Sequence, residues 1–232
     1  MTRTSRRARH LGVSIAMIVC VTAQSPARAG TSAVPERSAA CVACHGAQGE
    51  GSAAAGAPRV AGQNAQYLER TLTMLKAGTR TSPVMQPIAR GLSDAEIHEL
   101  TSYFAGLQGV RPPTAAASPT DLVQAGKELV QVGAAADPTP PCVSCHGIDG
   151  HGVGARFPSI AGQPAVFLVN RLHEFQARAK AKAPDFGTMT EVATHLNEKQ
   201  IGQVAAYLST LPPPEAQRVP APAATAFENS AH

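Results

Sequence analysis

The sequence predicts an all-α chain built from two tandem copies of one small domain, and three observations carry that reading. CVACHGAQGEG at 41–51 returns as CVSCHGIDGHG at 142–152, 101 residues later. The likeness continues downstream, where PRVAGQNAQYLERTL at 58–72 matches PSIAGQPAVFLVNRL at 158–172, and MQPIARGLSDAEIHELTSYFAGL at 85–107 matches MTEVATHLNEKQIGQVAAYLSTL at 189–211. The periodic segments place apolar residues at helical spacing, and no run alternates as a strand would. A period of this length exceeds that of solenoid repeats, so the pattern is a duplicated domain.

Residues 1–29 read as a cleaved secretory signal peptide. Arg3, Arg6, Arg7 and Arg9 make a basic start, Leu11 to Ala23 is an apolar run of 13 residues, and Ala27-Arg28-Ala29 is a small-x-small cleavage site. The rival reading is a membrane anchor, but a span needs roughly 20 apolar residues, and Gln24, Ser25 and Pro26 end this run early. The reading implies export and a periplasmic location. Five of the 20 Lys and Arg lie in this segment and none of the 16 acids do, so the exported chain holds 15 basic against 16 acidic residues. That balance gives no argument for nucleic-acid binding, and no basic block interleaved with aromatics appears elsewhere.

The first domain is expected over residues 30–108. Tyr67, Leu68, Leu72 and Leu75 share one helix face, with Asn64 placed to cap and Gly78 to terminate. A second helix opens on the capping-box spacing of Ser93 and Glu96 and stacks Ile97, Leu100 and Phe104. Residues 109–119, rich in Pro, Ala and Ser, make an extended linker. The second domain, 120–211, begins with a helix at Thr120 to Gly133; near its end Asn197 and Gln200 repeat the cap ahead of Ile201, Val204, Ala205 and Leu208. The first domain has only GTSAVPERSAA before Cys41, so its leading helix is short or missing. Residues 212–232 form a Pro/Ala-rich tail expected to be disordered beyond its first few positions.

The cysteines carry the chemistry. Cys20 leaves with the leader, so Cys41, Cys44, Cys142 and Cys145 remain. Export permits disulfides, but each C-x-x-C is followed directly by histidine, and C-x-x-C-H is the signature of covalent c-type haem attachment. Cysteines at i and i+3 lie on one helix face, where they reach the two haem vinyl groups, and the histidine at i+4 turns toward the iron. His45 and His146 are therefore the expected proximal ligands. A zinc site made of all four cysteines would have to draw together two pairs about 100 residues apart and leaves both histidines unexplained. A redox dithiol lacks its βαβ context. Two haems would also supply apolar surface to halves that are small, poor in aromatics and without Trp.

On the opposite side of each iron the aligned segments offer Met85 and Met189, which follow their histidines by 40 and 43 residues. A thioether favours ferrous iron, raises the potential and closes the coordination sphere. Met74 lies on a leucine-rich helix with no methionine counterpart in the second half, and reads as core filler. His98, His151, His173 and His195 have no histidine at the matching position of the other repeat, and read as surface or structural residues.

These features together resemble a di-haem class I c-type cytochrome, closest to the cytochrome c4 family, over nearly all of residues 36–211. The residues that carry the resemblance are both C-x-x-C-H-G motifs, both Ala-Gly-Gln segments (61–63 and 161–163), the methionines, and the terminal helices with Tyr103 and Tyr207. The resemblance implies two tandem cytochrome c-like domains, each wrapped around one covalently bound haem c. It also implies that Pro58 and Pro158 lie beside the proximal ligands, with a backbone carbonyl holding each histidine ring. The expected function is non-enzymatic: a periplasmic carrier with six-coordinate irons, taking single electrons from a quinol-oxidising complex or dehydrogenase and passing them to a terminal oxidase. The first haem, with less helix over it, is expected to be more exposed and differently tuned. The nearest alternative is a cytochrome subunit of a dehydrogenase complex, flavocytochrome or alcohol-oxidising. A di-haem peroxidase would need an iron with an open site. Peripheral membrane association and oligomer formation are left open by the sequence.

Overall fold

Helices alone build the computed structural model, which describes residues 34–112, 118–134, 139–181 and 187–216. The expected signal peptide, linker residues 113–117 and the tail beyond Ala216 lie outside the described residues. In chain order the helices are α1 (Ser38–His45), α2 (Ala65–Ala77), α3 (Met85–Arg90), α4 (Asp94–Gly106), α5 (Thr120–Gln131), α6 (Val143–His146), α7 (Ala165–Lys180), α8 (Thr188–Thr194) and α9 (Glu198–Thr210). Extended pairing among the described residues is limited to isolated bridges such as Ser52 with Ala57 and Val153 with Phe157.

The duplication is visible element by element: α1 to α4 correspond to α6 to α9. Local chemistry sets the helix ends. The Asn64 side chain accepts from Tyr67 N at 2.9 Å, and Gly78, at φ 80°, closes α2 in the left-handed region that glycine enters without steric cost. Complete capping boxes open α4, through Ser93 and Glu96, and α9, through Asn197 and Gln200. The expected helix 120–133 ends at Gln131, and Gly133 follows at φ 89°.

Each half has its own core. In the first, Leu92, Ile97, Leu100 and Phe104 form a small buried cluster, with Cys41, Val42, Val60, Leu68, Leu72, Tyr103 and Leu107 packed around it. The second is larger because α5 adds Val130 to Leu168, Leu172, Ile201, Val204 and Leu208. Helix α5 lies across α9, and Gln131 Nε2 donates to the Tyr207 hydroxyl at 3.1 Å. Among the described residues no helix precedes α1 and none covers α4 as α5 covers α9. Tyr207 is 9% exposed, whereas its counterpart Tyr103 is only half-buried.

The α5–α9 crossing depends on Gly126, where a Cβ would lie 1.9 Å from the Gln203 carbonyl oxygen. Gly126→Ala gains helix propensity of about 1 kcal/mol, but backbone cannot yield as a side chain can. The net expected outcome is a loss of about 1–3 kcal/mol, read as a lower denaturation midpoint. A midpoint at or above that of the unsubstituted protein would refute the close crossing.

The halves meet through polar groups. Arg59 N donates to Gln163 Oε1 at 2.9 Å, and Gln163 Nε2 donates back to the Arg59 carbonyl at 3.0 Å. The mirror pair joins Ser159 N to Gln63 Oε1 and Gln63 Nε2 to the Ser159 carbonyl, both at 2.9 Å. The Arg59 guanidinium enters the second half, where Nη2 donates to Ser159 Oγ at 2.9 Å and to the Ala161 carbonyl at 3.1 Å, while Nη1 donates to the Ala61 carbonyl of its own half. The Ala-Gly-Gln segments are themselves pinned to the last helix of each half, Gly62 N to the Phe104 carbonyl and Gly162 N to the Leu208 carbonyl. Residues 212–216 then run back onto the first half: Pro214 is buried, and a Cβ at Gly109 would lie 2.3 Å from its carbonyl oxygen.

Candidate functional site

Each site starts from one helical turn. Cys41, Cys44 and His45 lie on α1; Cys142 caps α6, which carries Cys145 and His146. None of these four cysteines is paired in a disulfide. Cys41 and Cys142 pack against their respective cores, and burial pushes the Cys142 thiol up to about 11 and raises that of Cys41.

The glycine-rich run after each motif folds the chain back to the histidine. In the first half Gly51 N donates to the His45 carbonyl, and Val60 N and Ala61 N donate to the Gly49 carbonyl; Gly152, Ile160, Ala161 and Gly150 repeat this around His146. Gly51, at φ 88°, allows no Cβ, which would meet Arg59 N at 2.6 Å; Gly152, at φ 91°, would meet Ser159 N at 2.7 Å. The return brings the Pro58 carbonyl 2.8 Å from His45 Nδ1 and the Pro158 carbonyl 2.8 Å from His146 Nδ1.

A carbonyl can only accept, so each Nδ1 carries the proton and each Nε2 presents a lone pair. Burial lowers both imidazole pKa values, against the opposing pull of the proline carbonyls, and so favours the neutral ring that a metal requires. Two free thiols one turn apart beside a neutral imidazole with Nε2 available form a donor set that fits a covalently held haem. The competing sets are not assembled: among the described residues no group of three or more His, Cys, Asp or Glu is placed to hold a metal ion. No strand supplies a thioredoxin-like context there either.

Met85 and Met189 sit on different elements from their histidines. Met85 is the first residue of α3, its N–H held by Ser82 Oγ at 3.1 Å, and Met189 is the second residue of α8, packed against the second core. Both are half-buried, and α3 and α8 rest on α2 and α7 respectively. The other described histidines are engaged elsewhere: His98 with Glu69, His173 with Glu198, His195 with Glu191, and His151 with the Pro212 carbonyl. Sequence reasoning gave no role to Arg59, Gln63 or Gln163; the signal available was the repeated Ala-Gly-Gln with arginine aligned against serine.

Comparison with known proteins agrees with this donor set. The cytochrome c family model matches residues 36–108 and 123–212. A cytochrome c4 of Azotobacter vinelandii is 30% identical over 209 residues, which cover 86% of this chain and 97% of that protein. The chain belongs to the cytochrome c4 family. As a member of it, the protein is a di-haem cytochrome with two covalently bound c-type haems, and it transfers electrons. Another relative of this cytochrome, a thiosulfate dehydrogenase electron acceptor of Stutzerimonas stutzeri, is 36% identical over 173 residues, or 74% of this chain and 79% of the relative. Among solved structures, a thiosulfate dehydrogenase of Marichromatium purpuratum superposes with a TM-score of 0.65 at 36% identity; the match covers 74% of the cytochrome but spans only 36% of that chain.

Proposed function

We propose that Cys41 and Cys44 tether one haem and Cys142 and Cys145 the other, with His45 and His146 as proximal ligands and Met85 and Met189 as distal ones. The domains that hold them are taken as 30–108 and 120–211, joined by 109–119. Each haem when bound supplies one-electron chemistry at its iron, and the chain's residues set the conditions. The cysteines fix the group in place, the proline carbonyls hold each imidazole in one orientation and tautomer, and the thioethers close the sixth position. With both axial positions filled, the protein is a carrier and not an enzyme. The observation that carries this reading is the matched pair of 2.8 Å Nδ1–carbonyl contacts, which leaves Nε2 of both histidines free for iron.

The setting we propose is periplasmic, after cleavage behind Ala29. The upstream partner is a dehydrogenase, and thiosulfate dehydrogenase is the named candidate because a relative at 36% identity is called its electron acceptor. A terminal oxidase is the downstream partner. Anaerobic stopped-flow mixing of the oxidised cytochrome with a thiosulfate dehydrogenase should give full haem reduction only when enzyme and thiosulfate are both present. Failure of reduction there, with normal reduction by dithionite, would remove this donor and leave the carrier function standing. A second reading, a bound subunit of the dehydrogenase, is favoured by the match to part of a longer thiosulfate dehydrogenase chain. Co-elution of the two proteins through size exclusion would select it over the free carrier.

A further inference from the structure

Two peptide groups each link a proximal histidine to the opposite half. The 58–59 peptide accepts from His45 Nδ1 on its carbonyl at 2.8 Å and donates from its N–H to Gln163 Oε1 at 2.9 Å. The 158–159 peptide accepts from His146 Nδ1 at 2.8 Å and donates to Gln63 Oε1 at 2.9 Å. Carbonyl and N–H within one peptide are conjugated. Donation on the nitrogen side therefore adds electron density to the oxygen and strengthens it as an acceptor. A stronger acceptor at Nδ1 makes the imidazole a better donor through Nε2, which favours ferric iron and lowers the potential.

We propose that Gln63 and Gln163 are crossed positioning residues, each tuning the haem of the other half through the peptide that holds that half's proximal histidine. The inference rests on His45 and His146 being the iron ligands. Neither glutamine can turn away: the second amide hydrogen bond, to the Arg59 or Ser159 carbonyl, clamps it at two points, and each side chain is 3% exposed. The two clamps are unequal. Gln63 Oε1 also accepts from Asn64 N at 3.1 Å, whereas position 164 is proline and has no N–H to share Gln163 Oε1. The clamp on the first half is thus undivided and that on the second is shared.

The test uses the full di-haem protein, with histidine ¹⁵N-labelled. Two quantities are read: the Nδ1–H proton resonances of His45 and His146 in the reduced state, and the potential of each haem, assigned by NMR across a redox titration. Gln163→Leu should move the His45 proton upfield and raise the first haem's reduction equilibrium constant about two- to fivefold, tenfold being 59 mV for one electron. Effects on the second haem should be smaller. Gln63→Leu should give the mirrored pattern with smaller amplitude. Equal shifts at both haems, or larger shifts in the substituted residue's own half, would mean simple loosening of the interface and overturn the proposal. Should the leucine variants fail to assemble, Gln163→Glu keeps size and acceptor, and the stronger carboxylate acceptor should move the His45 proton downfield; no movement, or an upfield one, would overturn it. If instead the ligand assignment is wrong, the unsubstituted protein lacks ring-current-shifted imidazole signals from these two residues, which separates that failure from this one.

Discussion

Met85→Ala should abolish about half of the near-infrared sulfur-to-iron charge-transfer band and lower one haem potential by a few tenths of a volt, within the roughly 0.8 V that axial ligation commands. Met189→Ala should do the same to the other haem. A neutral, soft thioether stabilises ferrous iron over ferric, so its loss favours the oxidised form and leaves water or another base in the sixth position. Each opened iron should also bind carbon monoxide when reduced. Because Met85 begins α3 and Met189 lies on α8, away from the covalent attachment turns, both variants should retain two haems by mass. Unchanged optical spectra in both variants would refute the methionine ligation. Met74→Ala is the internal control: α2 carries it, and the band should survive.

Arg59→Met should destabilise the protein by about 2–4 kcal/mol, a fall in Tm of roughly 5–15 °C. Two effects oppose each other here. Burying a guanidinium that is 1% exposed among neutral oxygens is costly, and burial pushes its pKa down to about 10. That value still leaves it charged at neutral pH, so the cost is constant there and is relieved only at more alkaline pH. Removing it, however, strands the Ala61 and Ala161 carbonyls and the Ser159 hydroxyl, each without its donor. Three stranded acceptors at about 1–3 kcal/mol each outweigh the relief of desolvation, part of which the unpartnered Nε already leaves uncompensated. Calorimetry of the di-haem protein measures the balance, and a Tm equal to or above the unsubstituted value would show that desolvation dominates.

Much of the architecture could be read before any coordinates because it is local. Helix caps at Asn64, Ser93 and Asn197 need only residues three positions apart, and the C-x-x-C-H turns need five. The duplication, once seen, fixed which helices correspond, and among the described residues no helix ahead of α1 gives the first half the cover that α5 gives the second. The contacts that join the halves were not legible, because they span 96 to 104 residues. An arginine in a loop is ordinarily a surface residue, and nothing adjacent in sequence says that Arg59 points into another domain. Gly126 reads as a mild flaw in a helix until the crossing with Gln203 makes its missing side chain necessary. The proline carbonyls at 58 and 158 came from family resemblance; the glycines that deliver them had no assigned purpose until the loop geometry supplied one.

The seating of one half upon the other is set by the interlocked amides and by the strap at 212–216, which rests on Gly109 at the start of the connector, where Arg111 also donates to the Thr210 carbonyl. Insertions or deletions beyond Pro112 leave these contacts in place, and should therefore leave the rate of electron exchange between the two halves untouched. Evolution is free to lengthen or trim the tether without rewiring the molecule.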